Sequence, residues 1–143
     1  MGYRRKSREL ALQALFYLEK NQDESNKENK DELLDLFCLN FEKEITDDTQ
    51  SFFMLLVKGV MDCESELDSL LDSCSKNWKL SRMSAVDKNI MRIGAFELLK
   101  CPDIPSSVTI NEAVEIGKKF GAKDSASFIN GVLDHIKISE NIK

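Results

Sequence analysis

Four cations near the amino terminus are the residues best suited to a specific chemistry. They fall within five successive positions that contain no acid: Arg4, Arg5, Lys6 and Arg8. The chain as a whole is acidic, with 20 Lys and Arg against 25 Asp and Glu and a formal net charge of −5. Residues 21–50 alone hold ten acids and three bases. A basic end on an acidic protein indicates where a polyanion such as a nucleic acid would bind.

An aromatic ring accompanies these cations. At 100° per residue, Phe16 falls on the same helical face as Arg5 and Leu12, with Arg8 close by. Single-stranded bases stack on exposed rings while cations bind the phosphates, so this face is typical of a single-stranded RNA site. The alternative is that Phe16 packs against a neighbouring helix.

A second cluster lies later in the chain, where one helix ends and another begins. It runs Lys118, Lys119, Phe120, Gly121, Ala122, Lys123, Asp124, Ser125. The free backbone N–H groups of the new helix offer a phosphate contact, although Asp124 is expected to cap that helix. Phe128, one turn further, is either a core residue or a platform for a base.

Cysteine and histidine, the usual ligands of zinc, are few and widely spaced in this sequence. Cys38, Cys63, Cys74 and Cys101 form no CxxC pair, and His135 is the one histidine. Zinc ligands come in closely spaced pairs, so we expect reduced, buried thiols, no metal and no disulfide framework. The sequence contains no glycine-rich nucleotide loop and no nucleophile turn. We therefore expect no catalytic residue and no cofactor, and a protein that is not an enzyme.

Length and composition favour one soluble domain. The 143 residues are 42% hydrophobic and 31% charged, and contain two prolines and six glycines. A chain of this size buries roughly 68% of its unfolded surface when it folds, so it needs no disulfide cross-links to be stable. No apolar run approaches the ~20 residues of a membrane span, and no signal sequence follows the basic start. We expect a cytoplasmic protein without membrane contact.

Hydrophobic periodicity predicts an all-α fold of about six or seven helices. The first helix runs from about Arg4 to Glu19, and a short second one ends near Lys43. A long third helix follows the capping side chains of residues 46–48, with apolar residues at alternating steps of three and four. Trp78 and Leu80 are expected to anchor the connection that follows.

Capping patterns predict where the later helices begin. Ser84 with Asp87 three residues later is a variant of the capping box, and Thr109 with Glu112 is a capping box in the standard spacing. Gly121 is expected as a terminating glycine, and Asp124 or Ser125 as the cap of the last helix. Glycines inside helices indicate close helix packing, here at positions 94 and 131.

Three stretches together resemble the NusB family of transcription antitermination factors. They are residues 4–16 (Arg-Arg-Lys-Ser-Arg-Glu-Leu-Ala-Leu-Gln-Ala-Leu-Phe), residues 86–98, and the run 105–133. The last run contains Ile-Asn-Glu-Ala at 110–113, Lys-Lys-Phe-Gly at 118–121 and Phe-Ile-Asn-Gly-Val-Leu at 128–133. The resemblance covers nearly the whole chain, although residues 20–80 match only in pattern.

The resemblance implies two three-helix subdomains with a short extra helix, an amino-terminal lobe of about residues 1–77 and a carboxy-terminal lobe of about 78–143. It implies binding of boxA-type single-stranded RNA from ribosomal RNA leaders, together with the ribosomal protein NusE and the RNA polymerase elongation complex. Carried over by motif, the RNA-binding residues are Arg4, Arg5, Lys6, Arg8, Phe16, Lys118, Asp124 and Phe128, and Asp87 faces the protein partner. The family often has Tyr at position 16 and Arg at position 6, and Lys6 loses the bidentate fork.

Two other functions stay open. One is the RNA-recognition module of a ribosomal RNA methyltransferase, although 143 residues leave no room for a cofactor-binding domain. The other is a homodimeric scaffold in which apolar groups near Phe16 and Leu12 meet a second copy.

Overall fold

A computed structural model describes residues 2–21, 29–75 and 83–143, and these residues form six α-helices with no strand. The helices are α1 (Gly2–Asn21), α2 (Lys30–Asn40), α3 (Asp47–Cys74), α4 (Ala85–Lys100), α5 (Ser106–Phe120) and α6 (Ser125–Ser139). The all-α prediction is confirmed, with six helices against the expected six or seven. The expected anchors Trp78 and Leu80 lie outside the described residues.

The chain divides into two compact units, Met1–Val57 and Lys58–Lys143. The first contains α1, α2 and the beginning of α3, and the second contains the rest of α3 with α4, α5 and α6. The lobe boundary expected near residue 77 falls among residues that are not described, and it stays a prediction.

The core of the first unit is organised around Phe37 of α2, which is 1% exposed. The Phe41 ring stacks on it with centroids 4.2 Å apart, and the Phe53 and Tyr17 rings lie 6.1 Å and 5.9 Å away. Such aromatic contacts add about 0.5–1.5 kcal/mol each to the burial of the rings. This cluster joins α1, α2 and the start of α3.

Close helix packing at two glycines organises the second unit. A Cβ atom on Gly94 would lie 2.7 Å from Leu133 Cδ1, so α4 and α6 touch where the sequence predicted a close approach. A Cβ on Gly59 would lie 2.2 Å from the Phe96 ring, which brings α3 equally close to α4. Gly131 does not follow the prediction, because it is exposed and nothing lies within 4 Å of its Cβ position.

A buried arginine joins α4 to the acidic side of α3. Arg92 donates from Nε to Asp68 Oδ1 at 2.7 Å and from Nη2 to Asp68 Oδ2 at 2.8 Å. Its Nη2 also lies 3.4 Å from Glu64 Oε1, and Nη1 donates to Asn89 Oδ1 at 3.0 Å. Two acids of α3 therefore bind a cation of α4, and the bidentate pair with Asp68 is geometrically specific.

The two predicted capping boxes have different outcomes. Ser84 is the N-cap of α4, and its Oγ accepts from the Asp87 backbone N–H at 3.1 Å, as predicted. The box at Thr109 is wrong, because α5 already begins at Ser106, after Pro105 with φ −57°. Thr109 therefore lies inside the helix, where it is 1% exposed and its Oγ1 donates to Glu97 Oε1 at 3.2 Å.

Candidate nucleic-acid interface

The amino-terminal cations lie at the first turns of α1. Arg4, Arg5 and Lys6 are exposed, and the first turn of this helix contains no acid. A helix amino terminus carries partial positive charge, so each cation placed there costs about 0.3–1 kcal/mol. The fold thus keeps three exposed cations at a position where they destabilise their own helix, which makes this end a strong attractor for an anion.

The start of α1 is fixed to the start of α3 by a buried hydroxyl. Ser7 Oγ lies 2.8 Å from Tyr3 O and donates to Thr49 O at 2.9 Å, and both Ser7 and Thr49 are buried. Thr49 Oγ1 in turn donates to Thr46 O at 3.1 Å. These bonds hold the basic turns of α1 in register with the first turn of α3.

One ring of α3 lies against two of the cations, and sequence reasoning missed it. The Cζ atoms of Arg4 and Arg8 lie 5.4 Å and 5.2 Å from the Phe52 ring centroid, within cation–π range. Arg8 is only 2% exposed, so its guanidinium belongs to the packed part of the unit. The sequence carries no local signal for this contact, because it depends on how α1 packs on α3.

The face assigned to Phe16 is less open than the helical projection predicts. Leu12 is 3% exposed and Arg8 is buried, whereas Phe16 is half-buried with Lys20 Nζ 5.4 Å from its ring centroid. The expectation of an exposed Leu12 is wrong, because α1 is buried at every position from Ser7 to Leu12. Phe16 is therefore a partly accessible ring with a cation beside it, while Tyr3, at the start of the same helix, is 52% exposed.

The second cluster surrounds the turn between α5 and α6. Lys118 and Asp124 are exposed, and Lys118 Nζ lies 3.7 Å from Glu115 Oε1. Asp124 is the N-cap of α6 by position, but its side chain makes no capping hydrogen bond, so the expected capping role is wrong.

Ser125 organises this turn instead. Its Oγ accepts from the Ala122 backbone N–H at 2.8 Å and donates to Asp87 Oδ2 at 2.9 Å. Gly121 has φ −92°, outside the left-handed region, and a Cβ there would lie 2.6 Å from Ser125 Oγ. The helix ends at this glycine as predicted, and the space that Ser125 occupies leaves no room for a side chain there.

A cavity of about 510 Å³ opens beside this turn, large enough for a nucleobase or a small side chain. Its walls come from the start of α4, the α5–α6 turn and the first turn of α6. Among the residues that the structure describes, Asp87 Oδ1 is buried and has no hydrogen-bond partner, although Ser125 binds the other oxygen. The lining residues are Met83, Ser84, Asp87, Ala122, Lys123, Asp124, Ser125, Ser127 and Phe128.

The predicted site residues thus form two groups, each within its own unit. Arg4, Arg5, Lys6, Arg8 and Phe16 all belong to α1, in the first unit. In the second unit, Asp87, Asp124 and Phe128 line the cavity, while Lys118 lies on the last turn of α5. Sequence reasoning missed Phe52 and the role of Ser125.

Metal and membrane chemistry find no support among the described residues. In that part of the chain no three His, Cys, Asp or Glu side chains are grouped to hold a metal ion. Among the described residues the four cysteines form no disulfide; Cys74 and Cys101 are buried as expected, whereas Cys38 and Cys63 are only half-buried. None of the described helices is long and apolar enough to cross a bilayer.

Comparisons with known proteins agree with this geometry. A protein-family model described as the NusB family matches residues 5–137. The chain is 56% identical over 142 residues to the transcription antitermination protein NusB of Desulforapulum autotrophicum, covering 99% of this chain and 96% of that protein.

Two solved structures share the fold. T. maritima NusB superposes with a TM-score of 0.73 at 33% identity, over 93% of this chain and 89% of that chain. A chain in the crystal structure of antitermination factors NusB and NusE in complex with dsRNA superposes with a TM-score of 0.81 at 24% identity, over 97% and 98% of the two chains. This last likeness concerns the fold alone. With the family match spanning nearly the whole sequence and a curated relative sharing more than half its residues, the chain belongs to the NusB family.

Proposed function

We propose that this protein is a non-enzymatic, cytoplasmic RNA-binding factor of transcription antitermination. It binds boxA-type single-stranded RNA of ribosomal RNA leaders together with a NusE-type ribosomal protein, and the pair helps RNA polymerase to read through terminators. The name and function of its relatives support the proposal. The proposed RNA-binding residues are Arg4, Arg5, Lys6, Arg8, Phe16, Lys118, Asp124 and Phe128.

The observation that carries the proposal is the exposed cluster of Arg4, Arg5 and Lys6 at the positive end of α1. The whole chain carries a net charge of −5, so this basic end attracts a polyanion that the acidic segments of the chain repel. Neutralising phosphates releases counterions from the RNA, which makes the affinity depend steeply on salt.

The cavity in the second unit supports contacts to bases. Phe128 lines it as a half-buried ring, Lys123 lines it with a cation, and Lys118 lies on the last turn of the preceding helix, α5. Asp124 presents an exposed carboxylate, which accepts hydrogen bonds from base edges or ribose but repels phosphate. Asp87, which lines the same cavity, is proposed to face the protein partner.

The test is a titration of a labelled boxA-type RNA with the protein at several salt concentrations, with and without a NusE-type ribosomal protein. We expect RNA binding that weakens linearly in log–log form with salt and tightens when the partner is present. A scrambled RNA of equal length is the control for non-specific binding. Equal affinity for both RNAs in the presence of the partner would contradict the proposal.

The homodimeric scaffold loses part of its basis, because Leu12 is buried and unavailable to a second copy. Sedimentation with and without RNA separates the two functions. A scaffold would sediment as a dimer irrespective of RNA, whereas an RNA-binding factor changes mass when RNA is added.

A further inference from the structure

Two guanidinium groups of the basic cluster share one aromatic ring. Arg4 Cζ and Arg8 Cζ lie 5.4 Å and 5.2 Å from the centroid of the Phe52 ring, in the second turn of α3. We propose that Phe52 is a positioning residue for RNA binding, which acts by holding Arg4 in place. The proposal rests on the RNA-binding function proposed above and names a residue on which the affinity of the basic cluster depends.

The charges of Arg4 and Arg8 favour contact with an aromatic ring. Arg4 and Arg8 are four positions apart on α1, so they share one face of the helix and repel each other. The face of an aromatic ring carries negative charge density and attracts a guanidinium. The Phe52 ring therefore offsets the repulsion between the two arginines and keeps both of them on one side of α1.

The Phe52 ring also reduces the mobility of the Arg4 side chain. An exposed arginine loses side-chain entropy when it binds a phosphate, and this loss reduces the affinity. Arg4 is exposed, so it can reach RNA, and its contact with the ring restricts its rotamers before RNA arrives. Arg8 is 2% exposed and contacts the same ring, so it is a second cation, fixed by burial, at that ring.

The Phe52 ring is itself fixed relative to α1. A ring positions a cation only if the ring itself is fixed relative to the helix that carries the cation. The buried hydrogen bond from Ser7 Oγ to Thr49 O joins the same turns of α1 and α3 at 2.9 Å. Thr49 lies one turn before Phe52 on α3, so this bond fixes the ring in register with Arg4.

A double-mutant cycle of Phe52→Leu and Arg4→Ala tests the inference, with titration of a boxA-type RNA at fixed salt. Loss of one exposed cation–π contact predicts that Phe52→Leu weakens binding about two- to fivefold. In the Arg4→Ala background, the same substitution should cause no further loss. Phe52→Trp should bind as tightly as the wild type or more tightly, because the indole ring attracts cations best.

Leu55→Ala is the matched control, because Leu55 is an exposed apolar residue of the same helix and should leave RNA affinity unchanged. Thermal melts of each variant show whether the fold is retained. If Phe52→Leu weakens binding equally with and without Arg4, the ring acts as a base platform or through stability, and the positioning role is wrong. Weaker binding by a folded Phe52→Trp, or unchanged binding by Phe52→Leu, also overturns it while leaving the RNA-binding function intact. Absence of RNA binding by the wild type overturns both.

Discussion

Asp124 presents an exposed carboxylate at the start of α6 without capping that helix. Asp124→Asn removes one negative charge and no hydrogen bond of the cap. We expect the free energy of unfolding to change by less than about 1 kcal/mol, the typical value of a cap that is actually formed. RNA affinity should be equal or higher, because a repulsion with phosphate is removed.

The measurement is an RNA titration at fixed salt with thermal melts of each variant. Asp103→Asn makes the same charge change at an exposed position between α4 and α5, and serves as the control. Markedly weaker binding by Asp124→Asn alone would show that its carboxylate accepts a hydrogen bond from RNA.

Phe128 is the residue whose role depends most on its degree of burial. The ring is half-buried and lines the cavity, so part of its surface is accessible to a base. Phe128→Ala should weaken RNA binding by about 1–3 kcal/mol, the range for loss of one stacked base. Phe128→Tyr keeps the ring and should bind like the wild type. A large drop in melting temperature for the alanine variant, with unchanged affinity of the folded fraction, would make Phe128 a core residue.

At the scale of elements, Ser125 joins the start of α4 to the α5–α6 turn. Its hydroxyl serves both the Ala122 N–H and Asp87 Oδ2, and the residue is 3% exposed. Ser125→Ala leaves the second oxygen of Asp87 without this donor, so we expect a loss of about 1–3 kcal/mol in unfolding free energy. Ser127→Ala, at an exposed neighbour, should cost little in the same chemical denaturation experiment. Equal losses for both variants would contradict the role of Ser125.

The basic turns of α1 give a second prediction at this scale. Because Arg8 is buried, the informative variant replaces only Arg4, Arg5 and Lys6 with Ala. Three phosphate contacts at roughly 0.7 each would make the log–log salt slope shallower by at most about 2.1. Helix content should stay near that of the wild type, because the substitutions remove cations that are unfavourable at the positive end of α1. An unchanged slope would place the phosphate contacts elsewhere.

Local sequence signals predicted the helices well, but they predicted the contacts between helices poorly. Ser84 caps α4 as expected because its extended backbone, φ −62° and ψ 152°, lets its side chain reach back to the helix. The equivalent pattern at Thr109 failed because Pro105 starts α5 earlier. Helical projection placed Leu12 in solvent because it assumes one buried face, whereas α1 is buried on all sides at residues 7–12.

For the whole molecule, the all-α class and the exposed basic end were predictable from composition and periodicity. Phe52 was not, because a cation–π contact between α1 and α3 requires the packing of the first unit. The cavity was also beyond sequence reasoning, since residues 83–87 and 122–128 meet only through folding.

The expectation that the protein holds no structural metal can be tested with a chelator. Chelator should change neither the melting temperature nor the RNA affinity, because the cysteines lack the spacing of zinc ligands and a structural metal contributes directly to folding. Metal analysis of the purified protein checks the same point. A stoichiometric zinc, or a melt that shifts with chelator, would contradict the expectation.

The contact between Gly59 and Phe96 has a consequence for how this sequence can drift over evolutionary time. A single added carbon at position 59 would lie 2.2 Å from the ring, so neither residue can grow unless the other shrinks. A larger side chain at one of the two positions therefore requires a smaller one at the other. Descendants that gain a side chain at 59 should be found with a smaller residue at 96, and the aromatic ring should persist only in lineages that keep the glycine.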